Sequence, residues 1–434
     1  MNPWLGIAGV LAALAALTVA ASMARRRGLL AAEDARKLVH VVLGLCVAGF
    51  PWIFTERWPV LALAGLAVAA LVALRSVPAL RRRLGAALHD VSRDSWGELC
   101  FPIAAALLWC LAPGDPLRFS IPMLVLAAAD AAAALIGVRY GHTALASPAG
   151  RKSWEGAAAF AITAYLAVHA PLLLLSGLPP ERCLLIAACF GVLMTAVEAV
   201  SWRGLDNLFI PLVGWLLIDS WLGLPTADLA ERLAVIAALV LTAAALRRRR
   251  TLDDGALAAG VLATFVAGAV GGWHWLAAPI LVFAAYTIVW RAPEGGQRHG
   301  AVAVLAVALP GLIWLAAGQL GLPWRSAFAG HLACWAGAAA GIGVMASAGR
   351  GAWRAGLSGA LAGPVVAAAG WLAAGAMAHD LPAAALVAAS AVPAALLMLA
   401  ARDLPPDGAA RWLAQSGAAG AASPLVLLAG IPPG

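Results

Sequence analysis

Hydrophobic residues along this chain come in long blocks separated by short polar breaks. A run of about twenty apolar residues is enough to cross a bilayer as a helix. Such runs fall at roughly 4–22, 38–54, 58–74, 97–113, 118–138, 157–176, 182–201, 207–222 and 229–246. A further set falls near 254–271, 273–290, 300–317, 330–348, 356–377 and 382–401, rich in Ala and Gly and charged only at its ends. The pattern predicts an all-α, polytopic integral membrane protein of about fifteen transmembrane helices. Arg247 to Arg250 divide it into a membrane domain over 1–250, with about nine helices, and a second over 251–434, with about six.

Composition agrees. Hydrophobic residues make up 63% of the 434 positions and charged ones 12%, about half the charged share of a soluble domain, so a water-soluble fold is excluded. A formal charge of +8 is compatible with a nucleic-acid partner, but the arginines cluster between apolar runs, at 25–27, 81–83 and 247–250. Positive-inside bias accounts for them without nucleic acid. The run Trp4 to Ser22 lacks a basic residue before it and has three arginines after it, the reverse of a cleavable signal. An outer N-terminus then puts 25–37, 75–94, 139–152, 202–207 and 247–250 on the cytoplasmic face, as expected of a bacterial inner membrane protein. The six cysteines form no metal-type spacing and read as small packing residues.

Two scarcities then single out positions. Of 29 basic side chains only Lys37 and Lys152 are lysines; a compact ammonium can sit on a phosphate oxygen where a planar guanidinium does not fit. Besides Asn2, the only asparagine is Asn207, directly after Asp206 in the turn Trp202-Arg203-Gly204-Leu205. That pair suits either magnesium or a helix cap. Asp130 stands inside an apolar run, nine positions before Arg139, roughly 13 Å below the helix end at ~1.5 Å per residue. A carboxylate there is costly unless compensated, and so is a candidate for function. Small residues Ala131 to Ala134 and Gly137 follow it, leaving room for a neighbouring helix or a ligand.

The next loop carries Gly137, Gly141, Gly150, Arg151, Lys152, Ser153, Glu155 and Gly156 and leads into a helix. Glycines and cations at a helix start make a phosphate cradle, although the segment is not a P-loop. Glu198, inside the membrane before Arg203, is a further candidate. So is Glu33-Asp34-Ala35-Arg36-Lys37-Leu38-Val39-His40, where Arg36 and Lys37 fall one turn before His40. Asp94 and Glu98, four apart at the start of the fourth span, could help hold a cation or serve the helix dipole. The residues alone lead to a phosphate and metal site at the cytoplasmic face.

In order along 33–215, the Arg36-Lys37-x-x-His40 start, Gly97-Glu98 with Phe101-Pro102, Asp130 with Gly137, Gly150-Arg151-Lys152-Ser153 with Glu155-Gly156, and Glu198 with Gly204-Leu205-Asp206-Asn207 and Pro211 resemble the CTP-dependent lipid-alcohol kinases. That family includes phytol kinase, dolichol kinase and the CTP-dependent diacylglycerol kinase, and is related to phosphatidate cytidylyltransferase. The resemblance implies transfer of the γ-phosphoryl of CTP, with Mg²⁺, to a membrane lipid alcohol. It implies that Arg36, Gly137, Gly150, Arg151, Lys152 and Ser153 bind the nucleotide, that Asp130, Asp206 and Asn207 hold the metal, and that Lys37 screens the reacting phosphoryl. Glu155 or Glu198 would orient or deprotonate the alcohol, with His40 and Glu98 in support.

Two other readings compete. Cytidylyl transfer to a phosphatidate lipid would use nearly the same cations and metal. A proton- or cation-coupled transporter would use Asp130 and Glu198. In the second half, Thr251 to Gly260 with Phe283 faintly resembles the membrane family of plant phytyl-phosphate kinase. No Asp or Glu lies in the middle of a later span, so a non-catalytic half is expected there.

Overall fold

The computed structural model describes residues 2–77, 96–148, 150–247, 251–288, 298–346, 352–373, 385, 387–401 and 409–421. Arg81 to Arg83 and Asp94 lie outside the described residues. Within helix α2 the same holds for the side chain of Arg36, and in the following hairpin for that of Arg151. The protein is an all-α integral membrane protein. Among the described residues, nine helices are long and apolar enough to cross a bilayer, and shorter apolar helices lie at Lys37–Ala48, Gly97–Leu111, Trp273–Tyr286, Leu361–Leu372 and Val387–Ala400. The chain divides into two compact units, Met1–Ala234 and Val235–Gly434.

In the first unit, α1 (Pro3–Arg26) is followed by α2 (Ala32–Ala48) and the short α3 (Phe50–Ile53). The apolar run expected over 38–54 is thus broken: Gly49 ends α2, and Pro51 has no N–H with which to continue its ladder. Next come α4 (Trp58–Ser76), α5 (Gly97–Leu111) and α6 (Ile121–Tyr140). They are followed by α7 (Trp154–Leu175), α8 (Pro180–Val200) and α9 (Asp206–Trp221). The division between units falls within α10 (Thr226–Arg247).

Helix α6 lies at the centre of this unit, packing on α2, α7 and α9. Small residues make that possible. A side chain at Gly44 of α2 would collide with Ala127 of α6, and one at Gly156 of α7 would meet the Ala133 carbonyl at 2.9 Å. Backbones brought this close gain dispersion contacts that larger side chains would prevent. At one end of α6, Asp115 accepts N–H bonds from Leu117 and Arg118, both at 2.9 Å, and Arg118 bridges Asp115 and Asp219.

The segment between α6 and α7 departs from the irregular loop that the pattern predicts. It forms an antiparallel hairpin of β1 (Ala144–Ser147) and β2 (Gly150–Ser153). Gly150 closes it at φ +106°, a conformation that residues with a Cβ rarely adopt. Pairing satisfies the strands' backbone groups, and the Ser147 hydroxyl donates to the Ala199 carbonyl at 2.8 Å, docking the hairpin on the end of α8.

The second unit continues from α10 with α11 (Asp254–Gly271), α12 (Ala277–Ile288) and α13 (Ala301–Gln319). Then come α14 (Trp324–Ala346), α15 (Ala352–Ala373), α16 (Ala391–Ala400) and α17 (Ala409–Ala421). Helix α14 is its buried axis. Aromatic rings fill the space left by glycines, Phe283 over Gly260 and Trp314 over Gly330. Asp253 caps α11 by accepting from the Ala256 N–H at 2.7 Å, and Asp254 pairs with Arg247 at 2.7 Å.

Two consequences can be measured. Gly44→Val should destabilise the first unit by about 1–3 kcal/mol, as overpacked cores do, and a thermal melt in detergent unchanged from wild type would refute the close contact. At Asp115, burial pushes the carboxyl up, but hydrogen bonds from Arg118 and its charge outweigh this and hold it below the ordinary value. The stabilisation is therefore complete above the ordinary carboxylate range and lost as pH falls through the lowered value. Asp115→Asn should flatten the acid limb of a stability-against-pH curve relative to wild type; coincident acid limbs would rule the linkage out.

Candidate active site

Five elements of the first unit, α2, α6, β2, α8 and α9, deliver charged groups to one region. Lys37 projects from α2 and donates to Asp130 Oδ2 of α6 at 2.7 Å. His40, one turn on, brings Nε2 within 3.7 Å of the same oxygen, while its ring meets Phe101 edge-on with centroids 5.8 Å apart. Lys37 is 8% exposed and Glu198 8% exposed, so neither charge could persist there without a partner.

Glu198 receives its partner from the hairpin. Lys152 donates to Glu198 Oε1 at 2.6 Å and to the Glu198 backbone carbonyl. The strand places that ammonium, because Lys152 pairs with Leu145 in the ladder and Ser147 anchors the other strand to Ala199. The chain's two lysines thus each neutralise a carboxylate in or beside the apolar interior.

The two pairs share one electrostatic field. Asp206 lies within electrostatic range of Asp130, Lys152 and Lys37, and Glu198, in contact with Lys152, lies within electrostatic range of Asp130 and Asp206. Asp130, Glu198, Asp206, Lys37 and Lys152 are therefore brought together from five segments spread over 170 positions. Their oxygens are the hard donors that suit Mg²⁺. Among the described residues, however, no three His, Cys, Asp or Glu side chains stand close enough together to hold a metal ion. The donor chemistry fits a divalent cation, provided that the lysines release their carboxylates.

The remaining candidates have defined partners. Asn207 donates its side-chain N–H to the Gly97 carbonyl at 2.9 Å. Ser153 is the N-cap of α7, accepting from the Gly156 N–H at 3.1 Å. Glu155 accepts the Thr143 N–H on its carboxylate at 3.1 Å, bracing the base of the hairpin. Gly137 lies at the α6–α7 crossing, where a Cβ would meet Ser153 Oγ at 3.0 Å, so its smallness serves helix packing. Gly150 serves the hairpin turn. Glu98 pairs at 3.7 Å with Arg75, whose guanidinium stacks on Trp96 at 5.6 Å.

Sequence reasoning missed Thr143, Ser147, Trp96 and Arg203. Only Gly204, following Arg203, hinted at an unusual turn there. Arg203 has φ +53°, the one non-glycine residue with positive φ among the described residues.

No family model matches the chain, and no solved structure matches it. It is 30% identical over 226 residues to a phytol kinase of Synechocystis sp., a match that covers 51% of this chain and 94% of that protein. The protein is therefore a kinase, a phosphotransferase with an alcohol group as acceptor. More narrowly, it belongs to the family of membrane lipid-alcohol kinases in which that phytol kinase stands.

The Lys152–Glu198 pair carries a direct test. Lys152→Met leaves a buried carboxylate without its counter-ion, which costs ~3–5 kcal/mol for a dry pair. Because the lysine side chain keeps 21% exposure, a loss on the order of 2–3 kcal/mol is expected. The double variant Lys152→Met/Glu198→Gln should regain most of that stability without regaining activity. Equal thermal stability of the single and double variants would show the pair to be uncoupled.

Proposed function

We propose that this protein transfers the γ-phosphoryl group of CTP, with Mg²⁺, to the hydroxyl of phytol or another membrane isoprenoid alcohol at the cytoplasmic face of a bacterial inner membrane. The single observation that carries the reading is the pairing of both lysines with acidic groups in one field, Lys37 with Asp130 and Lys152 with Glu198 beside Asp206. Before nucleotide binds, each ammonium keeps a carboxylate tolerable in an apolar setting. With a triphosphate bound, Lys37 and Lys152 would serve its oxygens, and Asp130, released by Lys37, would join Asp206 in holding Mg²⁺. Phosphoryl transfer needs chiefly such positioning and neutralisation of charge, and bound Mg²⁺ would supply part of the latter.

The other groups follow from their places. Arg36 and Arg151 add positive charge beside the two lysines in sequence, and the Ser153 cap with Gly150 shapes the segment that follows the phosphates. Glu198, once released by Lys152, would take the proton of the alcohol, whereas Glu155, which accepts from Thr143, shapes the hairpin. Charge bias favours an N-terminus outside, and the apolar runs favour about fifteen spans. For the second half, from about 251 onward, we propose a non-catalytic membrane domain. Its two adjacent acidic residues, Asp253 and Asp254, are occupied by a helix cap and a salt bridge.

Purified protein given CTP labelled at the γ-phosphate, Mg²⁺ and a panel of lipid alcohols should place label in lipid. Label arriving instead from the α-phosphate or the cytidine would replace this reading with cytidylyl transfer to a phosphatidate lipid. No transfer together with substrate-dependent ion flux would replace it with transport. Lys152→Ala and Asp130→Ala should each lower transfer by at least ~100-fold, the scale of losing a charge that stabilises a transition state, while the protein still inserts and folds. Full activity in either variant would remove the site assignment.

A further inference from the structure

The turn between α8 and α9 is held open in a conformation that its sequence does not favour. Arg203 at φ +53° and Gly204 at φ +83° are consecutive left-handed residues, and an L-residue with a Cβ pays roughly 1–2 kcal/mol for that region. Such a conformation persists only where neighbouring contacts over-determine it. Here the neighbours are two consecutive residues of another segment. The Trp96 N–H donates to the Arg203 carbonyl at 2.8 Å, and the Gly97 carbonyl accepts from the Asn207 side chain at 2.9 Å.

These two bonds grip the turn at both ends, one before and one after Asp206. The turn also bonds within itself, Leu205 N–H to the Trp202 carbonyl at 3.0 Å and Asn207 N–H to the Gly204 carbonyl at 3.2 Å. Asp206 consequently has little freedom of its own. It is carried to α5, within electrostatic range of Cys100, and to the field of Asp130, Lys37 and Lys152. The adjacent side chain of Asn207 spends its amide on α5.

We infer that Asn207 is a positioning residue, a tether to Gly97 that fixes the start of α9 and with it Asp206, and that it acts on the metal through Asp206 rather than as a ligand. This rests on the kinase reading above. The substitution that separates the two roles is Asn207→Asp, which keeps an oxygen able to bind a cation but removes the N–H that reaches Gly97. A tether predicts that Asn207→Asp fails as Asn207→Ala does. A ligand predicts that it survives.

The test uses the full chain in lipid nanodiscs, with Mn²⁺ titrated in the presence of CTP and followed by electron paramagnetic resonance. Both variants should weaken Mn²⁺ binding by about 10–100-fold, the range seen when the residue that orients a metal ligand is lost. The metal concentration that supports half-maximal turnover should rise in parallel, while KM for the lipid alcohol stays unchanged. Hydrogen exchange should speed up at the Trp96 amide and over residues 202–207, with α7 left as protected as in wild type.

Mn²⁺ binding by Asn207→Asp equal to that of the unmodified protein would overturn the tether. So would a loss confined to thermal stability, with the folded fraction binding Mn²⁺ normally. If the unmodified protein bound no Mn²⁺ with CTP present, the kinase reading itself would fall, and the inference with it.

Discussion

The first unit is organised by the cost of placing carboxylates where water is scarce. Asp130 sits within an apolar helix and Glu198 is nearly sealed from solvent, and either charge alone would cost several kcal/mol. Each is made tolerable by one ammonium delivered from a different element, Lys37 from α2 and Lys152 from the hairpin. That requirement explains other features. Helix α2 must approach α6 closely, hence Gly44 against Ala127, and the hairpin must be anchored at α8, hence Ser147 on the Ala199 carbonyl.

An ion pair in such a place is also a reservoir of binding energy. Arginine would satisfy the same carboxylates, and with a fork better matched to them. Lysine holds them by a single compact charge that can move to a phosphate without breaking a bidentate contact. Lysine rather than arginine is what an exchange of partners at these two positions would use. The same reasoning separates the two units. In the second, the acidic pair Asp253 and Asp254 is already used to cap and pair, and the buried His331 faces the backbone carbonyls of Gly311 and Trp275 at 3.1 and 3.3 Å.

The scaffold around the charges is specified by small residues and by turns. Gly137, Gly156 and Ser153 let α6 and α7 meet closely just where the hairpin leaves the helix. Gly150 and the Arg203–Gly204 pair provide left-handed positions at the two turns that present Lys152 and Asp206. Several residues that look like ligands in one dimension, Gly137, Ser153 and Glu155 among them, have contacts in three dimensions that shape the frame of the site.

The sequence by itself determined the solvent and the element type. An apolar run of membrane length must satisfy its backbone internally, so helix was the only outcome, and unusual residues such as Asp130, Lys37, Lys152 and Asp206 stood out against so uniform a background. What it could not determine was who neutralises whom. Lys37 meets Asp130 across 93 positions and Lys152 meets Glu198 across 46, and such pairings depend on which helix faces pack together. In these helices almost every face is apolar, so periodicity says little about orientation. Likewise the hairpin's pairing, the left-handed turn at Arg203 and the grip of Asn207 on Gly97 arise from backbone groups, which every residue carries alike and which only the tertiary fold brings within reach of one another.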